Sequence, residues 1–473
     1  MSHSTEKLSV WTKLGYAIGD LGTSAGPGTI IPFWYLYFLT NVAKLDPALA
    51  GLAILVGKIW DAVNDPLMGA LSDRTRTRWG RRRPYLLFGA VPFGVTFALL
   101  WIVPPIRNQW LLCAYFAVMY MLFDTACTLV ACPFAALAPE LTLDHDERTS
   151  LVTYQMVASI GAGLLTAILL GSVIFPRYPD SEATAFLVMG AVCGIVFAIP
   201  LWITFAATRE RPEFQVEAAL PVRQGLRFVL GNHEWRHVLA MGLLSWMPVD
   251  IASAVFPFFL IYWIGMPEAD ANLILGVILA SAALFLPLVS WMARRLEKKT
   301  AFLIATASWA VIMLAILLVP RGAVVPSYIL AALAGMGVAS AHLLPTAMNP
   351  DVMEVDELKS GRRQEGIYAG FSVFIRKLST GLVLAMIGPI LSWSGYAAAA
   401  EVQPPSALTA IRLMITILPA VLLVAACIVA WSYPLTRARH AEISRELAER
   451  RTRQDSHDLP DLQDSVSWRL HEG

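Results

Sequence analysis

Apolar runs long enough to cross a lipid bilayer recur about twelve times in this chain of 473 residues. A spanning helix needs about 20 apolar residues, because the hydrocarbon core of a bilayer is about 30 Å thick. Backbone polar groups in that core must be bonded within the protein, and a helix achieves this within one segment. The predicted spans are residues 14–40, 47–71, 85–104, 110–136, 151–175, 184–206, 237–263, 271–292, 301–319, 326–349, 366–394 and 408–432. The sequence therefore predicts an all-α membrane protein with twelve transmembrane helices.

The composition agrees with this interpretation and narrows the possible partners. The chain is 57% hydrophobic and only 15% charged, which lies outside the usual balance of soluble globular domains. Its net charge of +1 gives no indication of a nucleic-acid partner. We expect the lipid bilayer as its main partner, no organic cofactor, and a monomer.

Basic residues are concentrated in alternate connections between the spans, and this pattern predicts the orientation. The connection after the second span carries a group of arginines: Arg74, Arg76, Arg78, Arg81, Arg82 and Arg83. Cytoplasmic loops of membrane proteins are enriched in such residues. We therefore expect both termini in the cytoplasm and the chain in the inner membrane of the cell.

The longest internal connection divides the chain into two halves of six spans each. It covers residues 207–236, between an N-terminal bundle at 1–206 and a C-terminal bundle at 237–433, and a cytoplasmic tail follows at 434–473. Two six-helix halves with a binding site near the bilayer midplane are a recurring plan of transporters. The division therefore predicts two six-helix bundles.

Three charged residues lie on one face of the second span. Lys58, Asp61 and Asp65 are spaced i, i+3 and i+7, and each charge at the bilayer centre costs about 2.5–3.5 kcal/mol on insertion scales. Pro66 has no N–H, so the carbonyl of Ala62 loses its helical partner. Two carboxylates and a carbonyl form an oxygen-rich group suited to a small hard cation.

The residues leave the role of these charges open between three interpretations. With a hydroxyl from Thr128 of the fourth span, Asp61 and Asp65 would form a sodium site. Proton coupling needs only one acid, because two close carboxylates resist ionising together. Lys377, well inside the eleventh span, could neutralise the acids until the cation enters. A purely structural network of Lys58, Lys377 and the acids is the third interpretation.

The sequence around these charges resembles one transporter family. Residues 60–69 read Trp-Asp-Ala-Val-Asn-Asp-Pro-Leu-Met-Gly, and residues 73–84 read Asp-Arg-Thr-Arg-Thr-Arg-Trp-Gly-Arg-Arg-Arg-Pro. Both resemble the glycoside–pentoside–hexuronide:cation symporters of the major facilitator superfamily, and the resemblance extends over residues 10–433. It implies the major facilitator fold, alternating access, and uptake of an organic solute with Na⁺ or H⁺.

The resemblance also implies roles for particular residues. Asp61 and Asp65 correspond to the acids that bind the coupling cation, and Lys58 stands where the family usually has an arginine. Lys377 and Asp20 correspond to further members of the charge network. Independently, the charges after the second span predict a cytoplasmic gate that pairs with the inner ends of neighbouring helices. The predicted gate residues are Asp73, Arg74, Arg81, Arg82 and Arg83.

The substrate positions differ from those of the sugar carriers in this family. Positions that carry charged sugar-binding residues there are occupied here by Thr23, Ser24, Ala131 and Gln155. The placement of Asp124 is more similar to the sodium-dependent lysophosphatidylcholine symporters. The predicted substrate-binding residues are Thr23, Ser24, Asp124, Gln155, Trp246 and Asp250. Two substrate classes stay open, a sugar and a lysolipid or similar amphiphile, and we predict weak binding of galactosides.

One motif known from enzymes also occurs in the chain. Residues 233–237 read His-Glu-Trp-Arg-His, which matches the zinc-binding pattern of metalloproteases. The motif stands at the mouth of the seventh span without an evident third ligand, so we expect no enzyme. A channel or receptor that uses the same charges is the remaining rival class.

Overall fold

In the part of the chain that it describes, the computed structural model consists of helices joined by short connections. The described residues are 7–142, 145–210, 231–360, 365–398, 400, 402–437, 439–443, 445–447 and 449. Within these ranges, β pairing is limited to an isolated bridge between Thr77 and Gly80. The predicted all-α class is therefore confirmed.

The N-terminal half contains helices α1 to α7. They are α1 (Val10–Asp20), α2 (Gly26–Tyr37), α3 (Pro47–Arg74), α4 (Arg83–Leu99), α5 (Gln109–Leu141), α6 (His145–Ile168) and α7 (Glu182–Ala207). Turns of π-helix follow α1, α2 and α6, at Leu21–Ala25, Phe38–Val42 and Leu169–Ile174.

The C-terminal half contains helices α8 to α14. They are α8 (His233–Phe258), α9 (Glu268–Arg295), α10 (Lys298–Ala315), α11 (Val324–Ser360), α12 (Glu365–Trp393), α13 (Pro405–Ile415) and α14 (Ile417–Trp431). A π-helical turn at Phe259–Ile264 extends α8. Residues 211–230 of the predicted central connection lie outside the described residues, so the domain boundaries stay a prediction.

Ten helical segments among the described residues are long and apolar enough to cross a membrane. The two other predicted spans have different shapes. The first is divided into α1 and α2 by the π-helical turn Leu21–Ala25, and α4 has only 17 residues. The chain is therefore a multi-pass membrane protein, and the count of twelve crossings stays a prediction.

Glycines allow the first predicted span to lie directly against α7. A methyl group on Gly22 would come within 2.4 Å of the carbonyl oxygen of Phe197, and one on Gly19 within 2.3 Å of the Thr204 hydroxyl. Real side-chain carbons are not found so close, so a larger residue would separate the helices. This close contact positions Asp20, at the end of α1, in the interior of the N-terminal half.

The two halves contact each other through α3 with α12 and through α6 with α9. At one end of the α3–α12 pair the backbones nearly touch, since a methyl group on Gly388 would lie 2.0 Å from the carbonyl oxygen of Pro47. A methyl group on Gly51 would lie 3.0 Å from the carbonyl of Ala385. The halves are therefore tightly joined where α3 begins, and we call this the closed end.

Side-chain hydrogen bonds also join the halves at the closed end. Asn41 accepts from the hydroxyls of Tyr262 at 2.8 Å and Tyr396 at 2.7 Å. The indole of Trp34 donates to the side-chain oxygen of Asn272 at 2.9 Å. The opposite end carries the arginine-rich connection after α3, and we call it the arginine end.

Candidate cation site and charge network

Helix α3 carries the two acids, and its start is fixed by a side-chain cap. The carboxylate of Asp46 accepts from the backbone N–H groups of Ala48 at 2.9 Å and Leu49 at 3.3 Å, and Pro47 follows at a position where a missing N–H costs nothing. Pro66 lies inside the helix, immediately after Asp65. The acids therefore lie on a helix with a fixed start, next to the place where Pro66 removes one backbone hydrogen bond.

A lysine from the C-terminal half lies between the two acids. The Nζ atom of Lys377 on α12 is 2.5 Å from Oδ1 of Asp61 and 2.5 Å from Oδ2 of Asp65. Lys58 donates to the other oxygen of Asp61 at 3.2 Å. Two positive and two negative charges therefore balance, which is how buried charges are tolerated in proteins.

Thr128 and a cysteine of α5 complete the surroundings of Asp65. The hydroxyl of Thr128 donates to Oδ1 of Asp65 at 3.1 Å. The Sγ atom of Cys132, one helical turn further, is 3.8 Å from the same oxygen. The structure thus brings together the three predicted cation ligands, Asp61, Asp65 and Thr128, while their role in binding stays a prediction. Cys132 was not foreseen, although its i+4 spacing from Thr128 indicated a shared face.

Asp124 is buried beside this network. Its side chain interacts electrostatically with Asp61 and Lys58, and only 5% of the residue is exposed. Its Oδ2 atom has no hydrogen-bond partner among the described residues. The structure therefore places this predicted substrate residue in the interior, next to the charge network.

Other predicted site residues of the N-terminal half have local partners. Gln155 on α6 donates to Asp20 on α1 at 2.9 Å, so these two form an inter-helix bond. The hydroxyl of Thr23 donates to the carbonyl of Gly19 at 3.4 Å and is buried. The side chain of Ser24 lies outside the described part of the structure.

On the C-terminal side, Trp246 and Asp250 of α8 face residues of α11 and α12. The guanidinium of Arg376 lies 4.0 Å from the ring centre of Trp246, and the ring of His342 is 4.0 Å from that of Trp246. The Thr380 hydroxyl donates to Asp250 at 2.7 Å. Sequence reasoning missed His342, which shows no motif, whereas Arg376 was recognisable as a charge inside a predicted span.

The predicted gate residues are paired within the N-terminal half. Arg82 forms ion pairs with Asp73 and with Glu140, the latter at 3.2 Å, and Arg81 pairs with Glu140 at 2.9 Å. The guanidinium of Arg83 donates to the carbonyl of Phe205 at 2.6 Å. Arg74 is exposed in the last turn of α3. A gating role for this group stays a prediction.

Glu210 adds a bond to this group that the sequence did not reveal. Its carboxylate accepts from the backbone N–H groups of Arg81, Arg82 and Arg83 at 2.5, 2.7 and 2.8 Å. Such N–H groups at the start of a helix have no helical partner, and α4 begins here. Glu210 therefore fixes the end of α7 to the start of α4.

The zinc-binding pattern at the start of α8 forms no metal site among the described residues. The Nδ1 atom of His237 is 2.9 Å from the carbonyl oxygen of His233, so that nitrogen is engaged in the helix. No cluster of three or more potential metal ligands occurs in the described part of the chain.

Two helical halves that meet around an intramembrane charge cluster define a transporter of the major facilitator superfamily. The chain belongs to the family described as MFS/sugar transport protein, which it matches over residues 15–437. The predicted family, fold class and function class, a cation-coupled symporter, are confirmed.

Relatives and solved structures agree with this assignment. The chain is 32% identical to the putative glycoside/cation symporter YagG of Escherichia coli, over 95% of this chain and 97% of that protein. It is 28% identical to the sodium-dependent lysophosphatidylcholine symporter 1-A of Danio rerio, over 93% and 88%. The fold is similar to the nucleoside transporter NupG, with a TM-score of 0.66 at 12% identity over 89% of this chain and 99% of NupG.

Proposed function

We propose that Asp61, Asp65 and Thr128 bind the coupling cation, and that Lys377 holds the two acids when the cation has left. The observation that carries this proposal is the position of the Lys377 ammonium, 2.5 Å from one oxygen of each acid. A cation bound between the acids competes with that ammonium for the same oxygens. Binding therefore releases α12 from α3, which links the ion to movement of the halves.

We propose sodium as the coupling ion, with the proton as the alternative. Carboxylate and hydroxyl oxygens are the ligands that small hard cations prefer. The Thr128 hydroxyl at 3.1 Å from Asp65 supplies a third oxygen, which proton binding would not require. The relatives point in the same direction, since several are named sodium-dependent symporters.

We propose that the substrate is an organic solute with a substantial apolar part. Sugar carriers of this family have charged residues at positions where the described side chains of this chain are Thr23, Ala131 and Gln155. Thr23 and Gln155 form hydrogen bonds within the protein. A site for a polyhydroxylated sugar needs fixed polar partners aimed at the substrate. A simple sugar is the second candidate, since YagG is named a glycoside symporter.

The arginine end is proposed to face the cytoplasm, with both termini on that side and the chain in the inner membrane. Its basic connection supports this orientation by the positive-inside rule. We propose a carrier without enzymatic activity, because the family and the structural neighbours are transporters, and the monomeric state stays a prediction.

Uptake into proteoliposomes tests the proposed function. A sodium gradient, a proton gradient and no gradient are imposed in turn, and accumulation of labelled substrate is measured. We expect accumulation above equilibrium with the sodium gradient. Equal accumulation without any gradient would contradict coupling, and a response to the proton gradient alone would select the proton.

A further inference from the structure

Lys58 binds one oxygen of Asp61 and leaves the other oxygen to Lys377. Lys58 donates to Oδ2 of Asp61 at 3.2 Å, whereas the Nζ atom of Lys377 is 2.5 Å from Oδ1 of the same carboxylate. The proposed cation uses Oδ1 as well, because it competes with Lys377. The two ammonium groups therefore have different positions, and Lys58 does not stand where the cation binds.

The two lysines also belong to different halves of the protein. Lys58 precedes Asp61 by three residues on α3, so a movement of one half against the other does not separate them. Lys377 is part of α12 in the C-terminal half and leaves the acids when α12 moves away from α3. Lys58 therefore stays beside the acids throughout the transport cycle.

Tyr120 of α5 holds Lys58 in its place. The Nζ atom of Lys58 lies 5.7 Å from the centre of the Tyr120 ring, within the range of cation–π attraction, about 6 Å. The ring is fixed, since only 1% of Tyr120 is exposed and it stacks on Tyr35 at 5.2 Å. A methyl group on Gly57 would come within 1.9 Å of this ring, so α3 and α5 are in close contact. Both helices belong to the N-terminal half, and the ring therefore stays with the acids.

The fixed charges define the valence of the ion that balances the site. With Lys377 in place, two ammonium groups balance the carboxylates of Asp61 and Asp65. After Lys377 has left, Lys58 still cancels one of the two negative charges, and one negative charge is left over. A monovalent cation restores the balance. A divalent cation would leave an excess positive charge in a buried site, which is costly.

Asp124 adds no fixed charge to this balance. Only 5% of the residue is exposed, and its Oδ2 atom has no hydrogen-bond partner among the described residues. A buried carboxyl group that is not fully hydrogen-bonded avoids the cost of a buried charge by keeping its proton. The balance therefore involves the two lysines and the two acids of α3.

The oxygen ligands by themselves do not exclude a divalent cation. Carboxylates, a hydroxyl and a backbone carbonyl are also ligands that Ca²⁺ accepts. An ammonium group repels a divalent cation twice as strongly as a monovalent one, because the Coulomb energy is proportional to the charge. Exclusion of divalent cations therefore requires a positive charge next to the site, and Lys58 supplies it.

We propose that Lys58, held by Tyr120, determines the valence of the coupling ion by excluding divalent cations from the site of Asp61 and Asp65. Lys58 is a specificity-determining residue and Tyr120 is a positioning residue. This inference rests on the proposed function and adds the physical basis of its ion selectivity. Removing the charge of Lys58 should convert the site into one that accepts Ca²⁺.

Cation binding to the purified protein tests the proposal. Thermal unfolding in detergent is measured with sodium chloride, calcium chloride and choline chloride at equal ionic strength, and affinities follow from titrations of the unfolding temperature. We expect sodium, and not calcium, to stabilise the wild type. In K58Q the ratio of calcium affinity to sodium affinity should rise at least about tenfold, because the repulsion that is removed acts twice as strongly on a divalent ion. An unchanged ratio in K58Q would overturn the proposal.

Further variants separate charge from shape and location. K58R keeps the positive charge and should keep the preference for sodium. The double variant K58Q/D65N should lose the calcium binding of K58Q, because both ions use the same oxygens. The matched control is K13Q, because Lys13 also forms an ion pair, with Glu147 at 2.9 Å, and lies 6.0 Å from the ring centre of Tyr154, but belongs to α1. A gain of calcium binding in K13Q would contradict the assignment to Lys58.

Tyr120 and Asp124 have tests of their own. Y120L removes the ring and should shift the affinity ratio towards that of K58Q, whereas Y120F retains the ring and should restore the preference for sodium. A wild-type ratio in Y120L would overturn the positioning role of Tyr120. D124N should leave the ratio unchanged, and a shift as large as that of K58Q would contradict the balance of charges.

The proposed function and this inference fail in different ways. If D65N binds sodium as tightly as the wild type, the proposed cation site is wrong, and this inference is wrong with it. If D65N loses sodium binding while K58Q gains no calcium binding, the cation site stands and the role of Lys58 is wrong.

Discussion

Lys377 of α12 donates to Asp65 of α3 at 2.5 Å, although 312 residues separate the two in the sequence. The same ammonium bonds Asp61 at 2.5 Å, so one side chain of the C-terminal half holds both acids of the N-terminal half. The ion site and the contact between the halves therefore depend on the same oxygen atoms.

Neutralising either acid should abolish coupled transport. In D61N and D65N the amide preserves the size of the side chain but removes the charge that attracts a cation. We expect no accumulation above equilibrium in proteoliposomes, with normal membrane insertion. The control D180N changes an exposed acid outside the helices and should behave as wild type. Wild-type accumulation by the double variant D61N/D65N would refute the cation site.

Lys377 and Asp65 should show energetic coupling. K377A leaves the acids without their shared partner, and D65N removes the charge of one of those acids. D65N should therefore lower the stability of K377A less than it lowers the stability of the wild type. A double-mutant cycle of thermal unfolding in detergent should give a coupling of about 0.5–3 kcal/mol, as contacting residues do. Strictly additive effects would show that the contact contributes nothing.

Thr128 should contribute to cation affinity through its hydroxyl. T128V keeps the shape but removes the oxygen 3.1 Å from Asp65, and we expect the sodium concentration for half-maximal uptake to rise about tenfold, the value of one such bond. T128S retains the hydroxyl and should restore most of the affinity. If both variants change the sodium dependence equally, the methyl group matters rather than the oxygen.

Glu210 should stabilise the N-terminal half. E210A leaves three backbone N–H groups at the start of α4 without their acceptor, and we expect a loss of about 1–3 kcal/mol, seen as a lower unfolding temperature. The control E297A removes a glutamate that precedes α10 without capping it. G80A should also lower the unfolding temperature, because Gly80 has a φ of 107° that disfavours a side chain and a methyl group there would lie 2.5 Å from the Glu210 carboxylate.

The sequence predicted those parts of the site that follow from helical spacing. Lys58, Asp61 and Asp65 share a face because a helix repeats every 3.6 residues. Lys377 required the family resemblance, since nothing local to α12 indicates that it meets α3. The π-helical turn between α1 and α2 lies within the predicted first span 14–40, and the close contacts of Gly19 and Gly22 with α7 are not contained in any local pattern.

Contacts between distant segments account for the remaining omissions. Glu210 lies on the connection after α7, and its acceptor role depends on where α4 begins. His342 and Arg376 come together only through the packing of α8, α11 and α12 around Trp246. Arg376 is a charge within the predicted span 366–394, but only the fold places it on the ring of Trp246.

Asn41 joins the two halves at the closed end through uncharged groups. Its bonds to Tyr262 and Tyr396 cross from one half to the other, whereas the carboxylate bonds of Arg81 and Arg82 lie within the N-terminal half. Dissolved salt screens charges and leaves neutral hydrogen bonds almost unaffected. The contact between the halves at the closed end should therefore be insensitive to the ionic strength of the solution that it faces.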